Sequence, residues 1–259
     1  MVSEAAGSVR VVTTDGLLAL FDAAAEAARE AVAPLAGAAR RERTDRPGQY
    51  ALDLVADAAV LPILHEAGVA VVSEESGRSG PDHAGITVVL DPVDGSTNCS
   101  RGIPYWSISL CALDGDGLLC ALVTNQVTGV RTTAVRGEGA WRDGVRLTPS
   151  TVRRVEEAVV SFTGMPQRRL PWQQFRALGS IALELCDIAA GALDAHVAAP
   201  HWQSPWDYLG GLLVCREAGA LVVDANDAEL VVTDPNERRR LLAAATAELL
   251  EAVRPAAIP

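Results

Sequence analysis

The sequence predicts an α/β protein built as two successive lobes that meet near residue 150, and three observations carry that expectation. Alanine-rich segments with apolar residues at helical spacing open the chain. Short β-rich runs punctuated by Gly-Asp turns fill its middle, and helix-like and strand-like segments alternate after Val152. A length of 259 residues leaves ample core for one large domain or two modest ones. The expected division is an N-terminal lobe over 1–150, with helices, an antiparallel sheet and the acidic motifs, and a C-terminal α/β lobe over 151–259.

Leu17 to Ala39 places Leu17, Leu20, Phe21, Ala24, Ala28, Val32 and Leu35 on one helical face. The basic stretch Arg40 to Arg46, with Pro47-Gly48 behind it, separates that helix from a second over Tyr50 to Ala67, which stops at Gly68. Val69 to Ser73 and Ile86 to Leu90 read as strands. Trp106 to Leu113, Leu118 to Val127, Val130 to Arg136 and Val145 to Thr148 follow as an antiparallel meander joined by tight turns at "DGDG" and "RDG". In the second lobe, Ala158 to Phe162, Ala195 to Ala198, Leu221 to Asp224, Glu229 to Thr233 and Leu241 to Thr246 are expected as strands. Ser180 to Ala192, Pro205 to Ala218 and a last segment ending near Arg254 are expected as helices.

Composition narrows the function. No hydrophobic run reaches the roughly 18 uncharged residues that a membrane span needs, and the N-terminus lacks a signal-peptide pattern, so a soluble cytoplasmic protein is expected. The five cysteines are scattered, without a Cys-x-x-Cys pair, which fits reduced thiols packed as small apolar side chains and makes a zinc site improbable. A net charge of −11 argues against general nucleic-acid affinity. All 22 basic residues are arginine, so P-loop, Schiff-base and kinase chemistry that require lysine are excluded.

Four acidic pieces stand out. "VVSEES" sets Glu74 and Glu75 after an apolar strand, and "VVLDPVDGSTN" sets Asp91 and Asp94 at the end of another. "VADAAV" puts Asp57 on a helix, and "SPWDYLGG" puts Asp207 in the first turn of a helix behind Pro205. Singly, such residues are most often solvated turn residues or helix caps. The Asp91/Asp94 pair differs because Pro92 restrains the turn and Gly95 lets backbone approach a ligand closely, with the Ser96 and Thr97 hydroxyls alongside. Converging carboxylates without His or Cys suit Mg²⁺, with Mn²⁺ or Ca²⁺ as substitutes, and free amides beside them suit a phosphate.

"DPVDGSTN" together with "WDYLGGLLVCREAGA" resembles the two signatures of the inositol monophosphatase family of Mg²⁺-dependent phosphatases. "SEES" fits its Glu-Glu element and "GSIALELCDIAAGALDAHV" its Gly-Ser/Thr helix, so the resemblance spans roughly residues 15 to 250. The resemblance implies a layered α/β/α/β/α sandwich of the inositol monophosphatase and fructose bisphosphatase type, commonly homodimeric, with lithium sensitivity and no covalent phosphoenzyme. It assigns Glu74, Asp91, Ser96 and the Val93 carbonyl to a first metal, Asp91, Asp94 and Asp207 to a second, and Glu74 with Asp57 to a weaker third. Gly95 and Ser96 would bind phosphate through their amides, Ser96 with Asp57 and Glu74 would act on the attacking water, and Asp94, Gly179, Ser180 and Ile181 would lie beside the substrate.

Some residues depart from the family pattern. Counting back from Asp57, the acidic position of the usual approach is Ala51, and Asp53 is displaced from it by two; the upstream lysine falls at Arg46. Cys99 replaces an aromatic residue and reads as packing, and Ile181 stands where a small residue is usual and would narrow the pocket. The loop "AAPHWQSPW" lacks the glutamate that inositol-specific members carry, leaving His201 and Gln203 as candidates for substrate contact. His65, His83 and His196 read as surface or helix residues, and Arg238 to Arg240 as a solvated face. The expected activity is hydrolysis of a small polyol or sugar phosphate, inositol 1-phosphate first. Histidinol phosphate, fructose 1,6-bisphosphate and 3′-phosphoadenosine 5′-phosphate are alternatives, as is an inactive member serving as a binding scaffold. No nucleic-acid or membrane partner is expected.

Overall fold

A computed structural model describes residues 13–166 and 168–257. Helices α1 (Thr14–Val32) and α2 (Ala51–Glu66) lead into β1 (Ala70–Ser73), β2 (Gly77–Ser79) and β3 (Thr87–Asp94). The short helix α3 (Ser96–Arg101) follows, then β4 (Ser107–Asp114), β5 (Gly117–Asn125), β6 (Arg131–Val135), β7 (Gly139–Arg142) and β8 (Val145–Arg146). The remainder runs β9 (Val159–Thr163), β10 (Gln174–Arg176), α4 (Ile181–Ala189), β11 (Ala195–Ala198), α5 (Pro205–Ala218), β12 (Leu221–Asp224), β13 (Leu241–Ala244) and α6 (Ala247–Val253).

Two sheets result. The first has eight strands in the order β2-β1-β3-β4-β5-β6-β7-β8, antiparallel throughout except for β1 beside β3. The second has five in the order β10-β9-β11-β13-β12, with β9 parallel to both its neighbours. Leu17, Phe21, Leu52, Val60 and Leu64 of α1 and α2 close one face of the first sheet against Val71, Val88, Leu90 and Leu110. Helices α4 and α5 fill the space between the sheets, where Leu185, Ile188, Leu209 and Leu212 meet Val72, Val123 and Ala243. Helix α6 covers the outer face of the second sheet through Leu249, Leu250 and Val253. The order of layers is therefore α/β/α/β/α, each apolar face buried on the next.

Several boundaries differ from expectation. Helix α1 ends at Val32 rather than Ala39, because Ala33 caps it and Pro34 follows. Glu229 to Thr233 forms no strand: the Leu230 carbonyl accepts from the Tyr208 hydroxyl, the Glu229 carbonyl from Arg239, and Val231 N donates to the Glu229 side chain. These side-chain bonds take the groups that a ladder would use. Short strands β2, β7 and β10 were not expected. Strand β3 runs on through Asp91 to Asp94, with an irregular register between those residues opposite Ser109 and Ser107. The acidic pair sits at the strand end, as expected, but the strand itself extends through it in distorted form. All five cysteines are free and buried.

Candidate active site

Three carboxylates meet where β1, β3 and α5 converge. Glu74 directly follows β1, Asp91 lies on β3 and Asp207 stands in the first turn of α5; one oxygen from each lies within 4.8 Å of the others. Local structure fixes them. Glu74 N donates to the Leu90 carbonyl at 3.1 Å, extending the parallel pairing by one residue. Asp91 Oδ1 accepts from Val93 N at 3.0 Å across Pro92, and Asp207 Oδ2 accepts from Ser204 N at 2.7 Å as the reciprocal cap of α5.

Asp94 completes the group from behind. Its Oδ2 accepts from Ser180 Oγ at 2.5 Å, Ala182 N at 2.8 Å and Ser107 Oγ at 3.4 Å. All three donors go to one oxygen, which leaves Oδ1 for other partners. Gly95 turns the chain with φ +95°, and a Cβ there would lie 2.9 Å from the Gly179 carbonyl, so glycine is required both for the conformation and for the close approach. Ser96 then opens α3, donating its hydroxyl to the Val93 carbonyl at 3.0 Å.

Beside the trio lies a cavity of about 150 Å³ lined by Arg46, Pro47, Gly48, Gln49, Asp53, Glu74, Glu75 and Ser96. Glu74 belongs to both trio and cavity. Arg46 donates to the Glu74 carbonyl at 3.1 Å and stands 3.7 Å from the Glu75 carboxylate. Asp53, at the third position of α2, accepts from Tyr50 N at 2.8 Å through Oδ2, while its buried Oδ1 has no partner.

The electrostatics are those of crowded acids. Burial, then repulsion from Asp207, Glu75, Asp53 and Asp94, pushes the Glu74 carboxyl well above its ordinary range. Burial and the charges of Glu74, Asp94, Asp207 and Asp53 do the same to Asp91. Burial raises Asp53 and Asp94 to about 7 and Asp207 to about 6, although hydrogen bonds to each carboxylate oppose the rise. Added positive charge would offset the burial and mutual repulsion that raise these carboxyls and would favour their ionised forms. The cluster's donors are hard carboxylate oxygens without a His or Cys, one of them lacks any partner, and the oxygens of the trio lie close enough together to share an ion; these residues fit a hard divalent cation.

The sequence expectations distribute unevenly over this geometry. Glu74, Asp91, Asp94, Asp207, Val93, Gly95, Ser96 and Ser180 are brought together, and Gly179 approaches Gly95. Asp57 is not at the cavity. It lies one turn further along α2, buried, and accepts from Ser73 Oγ at 2.5 Å. Asp53, one turn earlier, lines the cavity. The signal for it was available: Asp three residues after the residue before a helix is the reciprocal position of a capping box, which points the side chain back toward the preceding loop.

Ile181 packs in the central apolar layer. Gln203 is buried: its backbone pairs with Arg239 at 2.7 and 2.8 Å, its Oε1 accepts from Leu241 N at 3.4 Å, and its buried Nε2 has no partner. His201 is exposed and packs against Gly164. Arg239 is buried rather than solvated, donating to the Glu229 carbonyl and the Glu237 carboxylate. His196 is fully buried on β11, against Glu184 and Ser161.

Comparison with known proteins agrees with this architecture. The sequence profile of the inositol monophosphatase family matches residues 12–257. A fructose-1,6-bisphosphatase/inositol-1-monophosphatase of Archaeoglobus fulgidus is 35% identical over 202 residues, 75% of this chain and 78% of that protein. The Nus factor SuhB of Pasteurella multocida is 31% identical over 224 residues, 79% of this chain and 81% of that protein. The Pyrococcus horikoshii protein PH1897, described by its similarities to inositol-1 monophosphatase, superposes with a TM-score of 0.86 at 26% identity, covering 95% of this chain and 100% of that one. With the family profile spanning nearly its whole length and the layered fold shared, this chain belongs to the inositol monophosphatase family of phosphatases.

Proposed function

We propose that the protein is a Mg²⁺-dependent phosphomonoesterase that releases phosphate from a small polyol or sugar phosphate, with inositol 1-phosphate as the first substrate to test. The observation that carries this reading is the approach of Glu74, Asp91 and Asp207 to within 4.8 Å beside a cavity containing Ser96 and Asp53. Glu74, Asp91, Asp94 and Asp207 would hold the cations. Bound there, two or three divalent ions supply Lewis acidity toward water and neutralise charge on the phosphate and the departing alkoxide.

The chain's own residues do the rest. The amides of Gly95 and Ser96 sit at the start of α3 and suit phosphate oxygens. Ser96 Oγ, fixed by its bond to the Val93 carbonyl, has lone pairs to orient a water, and the unpartnered Asp53 Oδ1 can accept a hydrogen bond from that water. Water oxygen then forms the new bond to phosphorus as the bond from phosphorus to the alcohol oxygen breaks, and the alcohol leaves with a proton. Arg46 carries positive charge at the cavity wall.

A second substrate, fructose 1,6-bisphosphate, is favoured by the Archaeoglobus fulgidus relative, whose name joins both activities. The missing glutamate in the Ala198–Trp206 loop is consistent with an alcohol other than inositol. The reading carries with it a homodimer in the cytoplasm, sensitive to lithium and bound to neither nucleic acid nor membrane; among the described residues no helix is long and apolar enough to cross a membrane. Phosphate release from inositol 1-phosphate, fructose 1,6-bisphosphate and histidinol phosphate, with Mg²⁺, Mn²⁺ or chelator, tests it. Metal-dependent turnover of at least one is expected, and no turnover of any would refute the proposal.

A further inference from the structure

The Gly179–Ser180 turn and the start of α4 behind it deliver two of the three donors that hold Asp94, and the turn is itself held by a side chain of α4. Glu184 on α4 is fully buried. Its Oε1 accepts from Gly179 N at 3.0 Å, and its Oε2 lies 2.8 Å from His196 Nδ1 on β11. Ser161 Oγ on β9 sits 2.9 Å from the same ring nitrogen. A carboxylate accepts only, so His196 Nδ1 carries the proton in this contact. The arrangement ties a turn at the candidate site to the middle of the second sheet.

The turn is gripped from its other side as well. Asn98 Nδ2 donates to the carbonyls of Leu178 and Tyr105, each at 2.7 Å, and Gly179 with φ +85° packs directly on the Asn98 amide. Stability alone gives little reason for Glu184, because apolar residues of similar volume usually serve a buried site as well as a buried polar or charged pair does. What an apolar residue cannot supply is an acceptor aimed at Gly179 N.

We propose that Glu184 is a positioning residue for the acidic centre, a role resting on the metal-site half of the reading above. Held by His196, its carboxylate sets the Gly179–Ser180 turn so that Ser180 Oγ and Ala182 N both engage Asp94 Oδ2 and leave Oδ1 facing the other acids. Without the acceptor the turn loosens, the Ser180 bond is made part of the time, and Asp94 is presented to a cation in several orientations.

The test measures Mg²⁺ and Mn²⁺ binding by calorimetry without substrate, on the wild-type protein, Glu184→Met and Glu184→Gln. Glu184→Met removes the acceptor at similar volume and is expected to weaken binding about 10-fold, the effect of roughly one hydrogen bond. Glu184→Gln keeps an oxygen for Gly179 N and should stay within about 3-fold of wild type by the same measure. Should Glu184→Met not fold, Glu184→Leu, which also removes the acceptor for Gly179 N, takes its place with the same expected loss. Unchanged metal affinity in the variant that folds, or equal loss in Glu184→Gln, would overturn the proposal, since a residue that only stabilises the fold alters melting temperature without altering affinity. Phosphate release is read in parallel: metal affinity that responds as expected in a protein that hydrolyses no phosphomonoester would support the positioning role and refute the phosphatase reading.

Discussion

Ser180 Oγ stands 2.5 Å from Asp94 Oδ2, joining the start of α4 to the end of β3 at the back of the acidic centre. The bond favours the ionised carboxylate and so holds down a carboxyl that burial raises to about 7. Ser180→Ala should therefore raise the Asp94 pKa further, by about one unit for a hydrogen bond to a charged group. Protons then compete better with metal at neutral pH. The expected outcome is an alkaline shift of the rising limb of the pH–rate profile, with turnover at pH 9 close to wild type. A profile that keeps its midpoint would show that Ser180 does not act through Asp94.

Asp53 and Asp57 share one helix face, yet only Asp53 reaches the cavity. Asp53→Asn keeps an oxygen for Tyr50 N and thus the helix cap, but loses the carboxylate; turnover should fall by about 10²-fold or more. Asp57→Ala leaves the Ser73 hydroxyl short of its partner and should lower stability by about 1–3 kcal/mol. Its turnover per folded molecule should stay within a few-fold of wild type. Steady-state kinetics with denaturant titration separates the two, and the reverse ranking would restore Asp57 to the site.

The metal-free protein should be more stable in mild acid than above neutrality. Asp53 and Asp94 have folded pKa values near 7 and Asp207 near 6, all raised from 3.8. A raised carboxyl favours the folded state while protonated, and that contribution is complete below the unfolded value and lost as pH climbs through the folded one. Melting temperature in chelator should fall between about pH 5 and pH 8. Adding Mg²⁺ should restore most of the loss at pH 8, because an ion that binds only the folded state stabilises it. Thermal scans across this range check both signs.

Gly95→Ala should damage the site through the backbone. The left-handed conformation costs an alanine about 1–2 kcal/mol, and its Cβ would meet the Gly179 carbonyl 2.9 Å away. The two turns must move apart, so loss of activity should exceed loss of stability. Comparing kcat/KM with the unfolding midpoint measures this.

Much of this architecture could be read from residues near one another in the chain. Helices α1, α2 and α5 follow from apolar spacing and caps, and the β3–β6 meander from its turns, since these signals are local. "DPVDGSTN" gave Asp91, Asp94, Gly95 and Ser96 as a unit because one irregular strand end holds all four. Errors arose where partners are remote. The strand expected at Glu229 to Thr233 fails because Tyr208 and Arg239 take its carbonyls. His196 and Glu184 look like ordinary strand and helix residues until folding puts them 2.8 Å apart. Asp53 and Asp57 are not told apart by a count along a helix, which does not say which turn faces the cavity. The course of the loop that carries His201 and Gln203 depends on Arg239 and Gly164, so what those side chains face is not legible in the loop sequence.

The central claim is that Glu74, Asp91 and Asp207 together hold a divalent cation that phosphate hydrolysis requires. The most direct measurement is phosphate release from inositol 1-phosphate and fructose 1,6-bisphosphate across a Mg²⁺ titration, for the wild-type protein and Asp91→Asn. Saturable Mg²⁺-dependent release by the wild type, abolished by chelator and reduced at least about 10²-fold in Asp91→Asn, is the predicted result. Release that persists in chelator, or that survives in Asp91→Asn at the same Mg²⁺ concentration, would contradict it.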